Sequence, residues 1–279
     1  MSTLNVKDGN GFSKFLAMFG LGTSASPLFP INAHFLIEVA KGNVPGHSLI
    51  HKFGRNPGVP NGTFEFVTSL GQTNHVLSAL TTVRIKAGGN AADTAAGAGA
   101  REITIQGIDS TLAEVTETIT TAGAGASAVT TKTWWRVHRA WVSSVGTYGA
   151  ANTGAITIEN GAGGTDIILI ETEQGQTQDA VWTVPIGKTA YLLSSVTTID
   201  SSQDADIQIF QRQDITDTTA PMKSRRIINH FDGLAATFGF KPNSPSIALP
   251  ALTDIWAEAE GSGGNTMVSV DLEILVIDD

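Results

Sequence analysis

The sequence predicts an all-β protein in which two β-sandwich, jelly-roll-like modules follow an extended N-terminal arm. Short segments alternate apolar and polar residues, and turn-forming residues recur about every 8–12 positions. Hydrophobic residues make up 41% of the chain but aromatic residues only 7%, so small and β-branched side chains must fill the cores. The predicted divisions are the arm over residues 1–61, the first module over 62–154 and the second over 155–279.

The arm begins with a short apolar pattern. Phe12, Phe15, Leu16 and Phe19 follow the spacing i, i+3, i+4, i+7, which predicts a short amphipathic helix within residues 11–21. An isolated helix of this length is not stable in water, so it requires a packing partner. The apolar run after Lys14 also leaves a secretory signal open as an alternative, although Asp8 precedes that run.

The rest of the arm is rich in glycine and proline. Residues 41–62 (KGNVPGHSLIHKFGRNPGVPNG) exclude a long helix and predict extended chain with one strand near 48–53. An extended arm with this many apolar side chains needs a partner surface, either in its own module or on a neighbouring subunit. The side chains predicted to serve assembly are Phe12, Phe15, Leu16, Phe19, Phe29, Phe35, Phe53 and Arg55.

The first module is predicted from period-two strands. Val83 and Ile85 alternate with charged residues, and the segment 101–107 (REITIQG) repeats this pattern. The intervening segment 88–100 (GGNAADTAAGAGA) contains only small residues and one carboxylate, which predicts a flexible surface loop. Residues 146–154 are equally rich in small residues and are predicted to link the two modules.

The second module is predicted to contain two hairpins. Residues 181–184 and 189–197 flank a Pro-Ile-Gly-Lys turn and are interpreted as partner strands. Residues 254–260 and 266–277 flank a glycine-rich loop and are interpreted in the same way. In the last strand, the apolar residues Val268, Val270, Leu272, Ile274 and Val276 share one face, which fixes its register.

Charge and composition limit the classes of function. Only 15% of residues are charged, which is low for a solvated monomer and predicts that much of the surface meets a partner. The net charge is −9, and residues 156–279 hold 6 Lys and Arg against 18 Asp and Glu, so we expect no nucleic-acid partner. We also expect no membrane partner. The chain has no cysteine, which excludes disulfides, a thiol nucleophile and thiolate metal ligands.

No motif in the sequence indicates catalysis or a cofactor. The glycines at 97–99 are followed by a strand rather than by a Gly-Lys-Ser/Thr helix start, so neither a P-loop nor a dinucleotide site is predicted. There is no Gly-x-Ser-x-Gly elbow. Same-strand carboxylate pairs such as Glu258 and Glu260 match opposed glycosidase carboxylates only by accident. We therefore expect no enzyme activity and no cofactor.

Two patterns in the sequence leave a metal site open as a weak alternative. His47 and His51 have metal-pair spacing only on a helix, and their surroundings are extended. Asp200, Asp204 and Asp206 supply hard oxygen ligands that suit calcium, but they lack the turn glycine and final Glu of an EF-hand. A solvated acidic edge is the preferred interpretation, and no metal site is predicted.

The tryptophans and one basic spot have competing interpretations. Tryptophan can pack in a core or stack on a sugar, and core packing is preferred for a chain with few large aromatics. Arg225 and Arg226, with Lys223, are interpreted as inter-subunit salt-bridge partners. The five tryptophans are Trp134, Trp135, Trp141, Trp182 and Trp256.

Several segments together resemble a group of structural proteins found in marine and other tailed-phage genomes. The segments are LNVKDGNG at 4–11, HKFGRNPGV at 51–59, DTAAGAGAREITIQGID at 93–109 with the following TETIT, and VPIGKTAYLLS at 184–194. The similarity is patchy but spans most of the chain. It implies a virion component without catalytic residues, and it does not imply a position on the particle.

The resemblance and the composition lead to one preferred function and two alternatives. The preferred function is a capsid decoration or cement protein, a homotrimer whose arm grips the major capsid protein or another virion protein after assembly in the host cytoplasm. The first alternative is a neck or tail fibre adhesin that binds host glycan through an exposed aromatic residue. The remote alternative is a secreted carbohydrate-active enzyme, which would need a cleft with opposed carboxylates.

Overall fold

A computed structural model of the protein describes residues 2–7, 13–19, 29–30, 35–71, 76–200, 203–235 and 238–279. These residues are almost entirely β-strand, which confirms the all-β prediction. The single helix in these ranges is α1 (Phe35–Ala40), which the sequence did not predict. None of the helical structure in these ranges is long and apolar enough to cross a membrane.

The arm forms a small sheet of its own. Strands β1 (Ser2–Lys7), β2 (Ser13–Phe19) and β3 (Phe29–Pro30) lie in the order β1-β2-β3 with antiparallel pairing. The amphipathic helix predicted within 11–21 is therefore wrong. The physical reason is that six residue pairs between β1 and β2 supply backbone hydrogen bonds that a short, isolated helix cannot stabilise on its own.

The first β-sandwich contains six strands in two three-stranded sheets with the orders β11-β10-β6 and β8-β7-β9. Its core lies between these sheets and is built mainly from isoleucine and valine, as the composition predicted. The predicted alternation is confirmed, because Val83, Ile103 and Ile105 are all fully buried. The strands are β6 (Val83–Ile85), β7 (Ala100–Asp109), β8 (Glu114–Thr120), β9 (Trp134–Val145), β10 (Ile156–Asn160) and β11 (Asp166–Ile170).

The module boundary predicted after residue 154 is wrong. Strand β10 pairs with β6, and Ile156 and Ile158 are buried in the core of the first sandwich. Residues 146–154 are accordingly a loop within that sandwich and do not link two modules. Burial explains this arrangement, since the β10 and β11 isoleucines complete a core that β6 to β9 alone would leave open.

The glycine-rich loop of residues 88–100 is organised by a buried carboxylate. Asp93 accepts hydrogen bonds from the backbone N–H groups of Ala100 (2.8 Å), Thr153 (2.8 Å) and Gly154 (2.9 Å). A Cβ atom at Gly99 would lie 2.2 Å from Asp93 Oδ1, so only glycine fits there. The prediction of a flexible loop is therefore wrong, because Asp93 ties this loop to the 146–154 loop.

The strands of the second β-sandwich come both before and after the first sandwich along the chain. Strand β4 (His47–Val59) precedes the first sandwich, and the seven strands after it complete two sheets. These strands are β12 (Val181–Thr183), β13 (Lys188–Ile199), β14 (Asp204–Gln213), β15 (Arg226–Ala235), β16 (Phe238–Leu249), β17 (Thr253–Gly261) and β18 (Thr266–Asp278). The short strand β5 (Glu65–Phe66) also pairs with β17.

The strand order of the second sandwich is that of a jelly roll. One sheet has the order β4-β18-β13-β16 and the other β12-β17-β14-β15, with every pair antiparallel. These eight strands, numbered from first to last, lie in the orders 1-8-3-6 and 2-7-4-5, which form the two Greek keys of a jelly roll. The first sandwich is thus an insertion between the first and second strands of the jelly roll, and residues 47–59 belong to the jelly roll and not to the arm.

Both hairpins predicted for the second module are wrong. Strands β12 and β13 lie in different sheets, and so do β17 and β18. The chain crosses from one sheet to the other at both turns, because each strand then buries its apolar face against the opposite sheet. The predicted register of β18 is confirmed, since its five alternating apolar residues all lie in the core.

Candidate functional site

A cleft runs between the two sandwiches along one side of β4. Its volume is about 350 Å³, at the lower end of the range for small-ligand pockets. One wall is β4 from Leu49 to Phe53, and the other comes from the first sandwich and the chain segment that leads into β12. The polar residues of the cleft are His51, Lys52, Gln106, Glu114, His138, Arg139, Gln176, Thr177 and Asp179.

A buried ammonium group lies at the base of the cleft. Lys52 has a relative exposure of 8%, and its Nζ donates a hydrogen bond to the backbone oxygen of His138 at 2.8 Å. Burial lowers the pKa of Lys52 below its usual value, and attraction to Asp179 opposes this shift. Burial raises the pKa of Asp179, and Lys52 opposes that shift in turn. The attraction between these two groups links β4 to the chain segment that leads into β12.

Glu114 joins the two sandwiches through a pair of hydrogen bonds. His138 Nε2 lies 2.8 Å from Glu114 Oε1, and Trp182 Nε1 donates to the same oxygen at 3.0 Å. Burial by itself would raise the pKa of Glu114, but the hydrogen bonds from His138 and Trp182 outweigh it and hold the pKa at about 2. Because β8 and β9 carry Glu114 and His138 while β12 carries Trp182, this contact spans the module boundary.

A second buried link is a complete ion pair. Arg136 and Asp254 have side-chain exposures of 2% and 3%, and Arg136 Nη2 donates to Asp254 Oδ2 at 2.8 Å. The remaining polar atoms are also used: Arg136 Nη1 donates to the backbone oxygen of Leu77, and Thr183 Oγ1 donates to Asp254 Oδ1. A buried pair with its hydrogen bonds satisfied fixes the geometry of the two modules.

The charged side chains of the cleft contact other groups of the same chain. Lys52 and Glu114 direct their charged atoms at other protein groups, so neither is aimed at a substrate. Within the part of the chain that the structure describes, no three His, Cys, Asp or Glu side chains form a metal-binding group. His47 and His51 lie on strand β4, where four residues span roughly 13 Å and cannot hold one ion together. His51 Nε2 instead contacts Asp271 at 2.9 Å.

The predicted assembly residues are separated by the fold. Phe12 lies outside the described residues. Phe35 begins α1, which packs beside Tyr191 and Leu193 on the outer face of the β13–β18 sheet. Phe53 and Arg55 are half-buried on β4. The remaining predicted residues lie on the arm sheet, with Phe15, Leu16 and Phe19 on β2 and Phe29 on β3.

Phe53 and Arg55 are therefore corrected from arm to jelly-roll residues. Arg55 Nη1 lies 3.5 Å from Glu171 Oε2, and its Nε lies 3.4 Å from Met267 Sδ. These contacts tie β4 to the first sandwich and to β18. The apolar content of residues 47–59, which suggested a partner-seeking arm, is used in the sheet of the same chain.

Three of the five tryptophans are buried in a core, which agrees with the preferred interpretation. Trp134, Trp182 and Trp256 are 0–4% exposed, whereas Trp135 and Trp141 are half-buried. Arg139 lies over the ring of Trp141, 4.9 Å from its centroid. No local sequence pattern indicates the Arg136–Asp254 pair, because its partners are separated by 118 residues.

Arg225 is paired within the chain. Its Nη1 donates to Glu258 Oε1 at 2.7 Å, and its guanidinium lies 4.5 Å from the centroid of the Phe210 ring. Arg225 therefore has a partner within its own chain, and the inter-subunit salt bridge stays a prediction.

Acidification should lower the free energy of unfolding of the protein, because it favours the protonated form of the buried His138. Burial lowers the pKa of this histidine below its usual 6.5, so below pH 6.5 the unfolded chain binds a proton that the folded protein does not. The stability that the neutral imidazole contributes is present in full above pH 6.5. It is lost as the pH falls from 6.5 towards the lower pKa that His138 has in the folded protein. His138→Gln keeps a donor for Glu114 but cannot titrate. We expect the stability difference between wild type and His138→Gln, from urea unfolding, to shrink between about pH 7 and pH 5; a constant difference would contradict this.

Comparison with known proteins gives limited similarity. No protein-family model and no curated protein matches the chain. A structure of infectious bursal disease virus, Gx strain, is 13% identical with a TM-score of 0.21, over 83% of this chain and 77% of that chain. The crystal structure of the infectious bursal disease virus VP2 subviral particle is 12% identical with a TM-score of 0.23, over 88% and 78%. TM-scores this low do not establish a common fold.

Proposed function

We propose that the chain is a non-enzymatic structural subunit of a tailed-phage virion. The observation that carries the proposal is the jelly-roll strand order with a second sandwich inserted after its first strand. Jelly rolls form viral capsid domains as well as lectin domains and cupins, so the fold alone is an analogy. The use of the buried charges to fix the two modules, rather than to face a substrate, supports a structural role over the enzymatic one.

The finer proposal is a capsid decoration or cement protein that is held by its arm. The arm supplies three strands that pair only with one another in the sheets of the described chain, so they are available to a partner. Burying four or five of the large apolar side chains of the arm would contribute about 1.5–3 kcal/mol each, enough to hold a subunit on a symmetric shell. In this proposal the partners are the major capsid protein and two further copies of the chain, and the site of action is the virion.

The test uses heads of the phage that encodes this chain, prepared without the chain. We expect added full-length protein to sediment with the expanded heads and to raise the temperature at which they open. The variant Phe15→Ser/Phe19→Ser should lose most of this binding, while its own thermal unfolding, governed by the sandwiches, should be nearly unchanged. Failure of the full-length protein to bind heads in any form would overturn the decoration proposal.

One observation favours the alternative of a tail or neck adhesin. Trp141 is half-buried with Arg139 on its ring, and Gln176 Oε1 accepts a hydrogen bond from Arg139 at 3.1 Å. An aromatic ring beside polar groups is an arrangement that can stack on a sugar. The adhesin alternative predicts that the protein binds glycans of host cells and that Trp141→Ala abolishes this binding. Absence of binding to host cells and to their purified glycans would exclude it.

A further inference from the structure

Strand β4 has one hydrogen-bonding edge that no other strand occupies. Its other edge pairs with β18 over most of its length, from Val59 to His47. The N–H group of Arg55 points away from β18, because it donates to the backbone oxygen of Gln178 at 3.1 Å. Backbone groups alternate in direction along a strand, and the pairing of β4 with β18 has no register shift between residues 47 and 56. The N–H and C=O groups of Leu49, His51 and Phe53 therefore point to the same side as Arg55 N–H.

This free edge is open over five residues. Within the described ranges, the N–H groups of Leu49, His51 and Phe53 have no hydrogen-bond acceptor. Leu49 is 37% exposed, and the cleft of about 350 Å³ runs beside this stretch. Leu49 to Phe53 spans roughly 14 Å, which is enough for a short added strand.

The rest of the edge is closed by the same chain. A Cβ atom at Gly54 would lie 2.2 Å from the backbone nitrogen of Ala180 and 2.3 Å from the backbone oxygen of Val67. This close approach lies over the face of β4 at Gly54, and the Arg55–Gln178 hydrogen bond occupies its edge at the next residue. Proteins usually blunt an exposed edge with a bulge, a proline or a covering loop. Residues 49–53 lie in a regular, paired stretch without a bulge or a proline, and the buried Lys52 is the one charged side chain of this stretch that points inward.

The arm carries strands that need such an acceptor. In the order β1-β2-β3, strand β1 is at the edge, and its six residues are enough to cover the five-residue open stretch. In the sheets of the described chain, β1 pairs with β2 alone, so its outer backbone edge has no partner strand. An unpaired edge presents a row of backbone N–H and C=O groups that can pair with another strand.

We infer that β1 of one copy adds to the free edge of β4 in a second copy, which joins its arm sheet to the four-stranded jelly-roll sheet of the neighbour. A second copy is the occupant because, within one chain, the arm sheet and the β4-β18-β13-β16 sheet are separate. Main-chain hydrogen bonds supply affinity in strand addition, and the side chains of the cleft supply specificity. The inference rests on the proposed assembly role of the arm and identifies the surface that receives it.

The first test removes one backbone donor from the edge. His51→Pro deletes the central free N–H group without touching the pairing of β4 with β18, whereas His51→Ala keeps that group and serves as the matched control. Both variants lose the His51–Asp271 contact equally. By analytical ultracentrifugation of full-length protein, we expect wild type and His51→Ala to self-associate alike, and His51→Pro to associate at least roughly tenfold more weakly. Equal association of the two variants, with unchanged thermal unfolding, would overturn the inference.

The second test asks whether the pairing joins two copies. Because the chain has no cysteine, Asn5→Cys and His51→Cys provide unique thiols on β1 and on the open edge. Mixing the two single variants with a short bismaleimide should give covalent heterodimers. The double variant Asn5→Cys/His51→Cys is treated in the same way. If a cross-link forms within this chain and none forms between the two single variants, the arm folds back on its own β4, which would overturn the inference. A wild-type protein that stays monomeric would also overturn the inference. It would not decide the decoration proposal, which is tested separately by binding to capsid heads.

Discussion

Arg136→Met is expected to lower the free energy of unfolding by about 3–5 kcal/mol, because it leaves the Asp254 carboxylate buried and unpaired. Asp254 is 2% exposed, so water cannot replace the lost guanidinium. The same substitution also removes the hydrogen bond to the backbone oxygen of Leu77. Urea unfolding at pH 7, followed by tryptophan fluorescence, measures the change.

Two further variants show whether burial of the charge is the cause. Arg136→Met/Asp254→Leu removes both charges, and we expect it to recover most of the lost stability, since a buried ion pair is often replaceable by apolar side chains. Lys86→Met breaks the partly exposed pair with Asp166 and should cost less than about 1 kcal/mol. Equal losses for Arg136→Met and Lys86→Met would contradict the proposed role of the buried pair.

Trp182→Ala is expected to cost about 3–5 kcal/mol, comparable with the loss in Arg136→Met. The ring is 1% exposed in the jelly-roll core, so its removal leaves a large cavity. It also removes the Nε1–H donor to Glu114 and so loosens the contact between the sandwiches. The measurement is again urea unfolding. The slope of the unfolding free energy against urea concentration is compared with that of wild type, to confirm that the unfolded and folded states are otherwise alike.

Trp182→Phe separates the hydrogen bond from the packing. It keeps most of the ring volume but loses the donor to Glu114, and we expect a loss of about 1–3 kcal/mol. If Trp182→Phe were as unstable as Trp182→Ala, the Glu114 contact rather than burial of the ring would dominate.

Local patterns in the sequence predicted individual strands well. The alternation of Val83 and Ile85 with charged residues, and that of Val268 to Val276, correctly predicted which side chains enter the core. The reason is that a period of two fixes the face of each residue without information about neighbouring strands. The same reasoning missed the strand at Ser13–Phe19, because a continuous apolar run such as Phe15 to Phe19 is compatible with a helix or a strand.

Strand partners could not be predicted in the same way. A short turn usually joins partner strands, but β17 and β18 are separated by only four residues and lie in opposite sheets. The pairing of β4 with β18 joins residues more than 200 positions apart, and no local pattern specifies it. The insertion of the first sandwich into the jelly roll was hidden for this reason.

The candidate site was largely beyond prediction as well. Lys52, Glu114, His138 and Asp179 come from four separate segments, and none belongs to a motif. The free edge of β4 depends on which backbone groups remain unpaired after folding. The sequence predicted an assembly role for the first sixty-one residues, but it assigned β4 to the arm, whereas β4 belongs to the jelly roll and is inferred to be the surface that receives the arm.

The most direct test of the virion proposal is cryo-electron microscopy of particles of the phage that encodes this chain. We expect density for the eight-stranded jelly roll with its inserted sandwich at regularly repeated positions on the head, with three copies around each site. Particles that contain no copy of the chain, by density and by peptide mass spectrometry, would contradict a structural role. Density confined to the tail or neck would contradict the capsid decoration role and favour the adhesin.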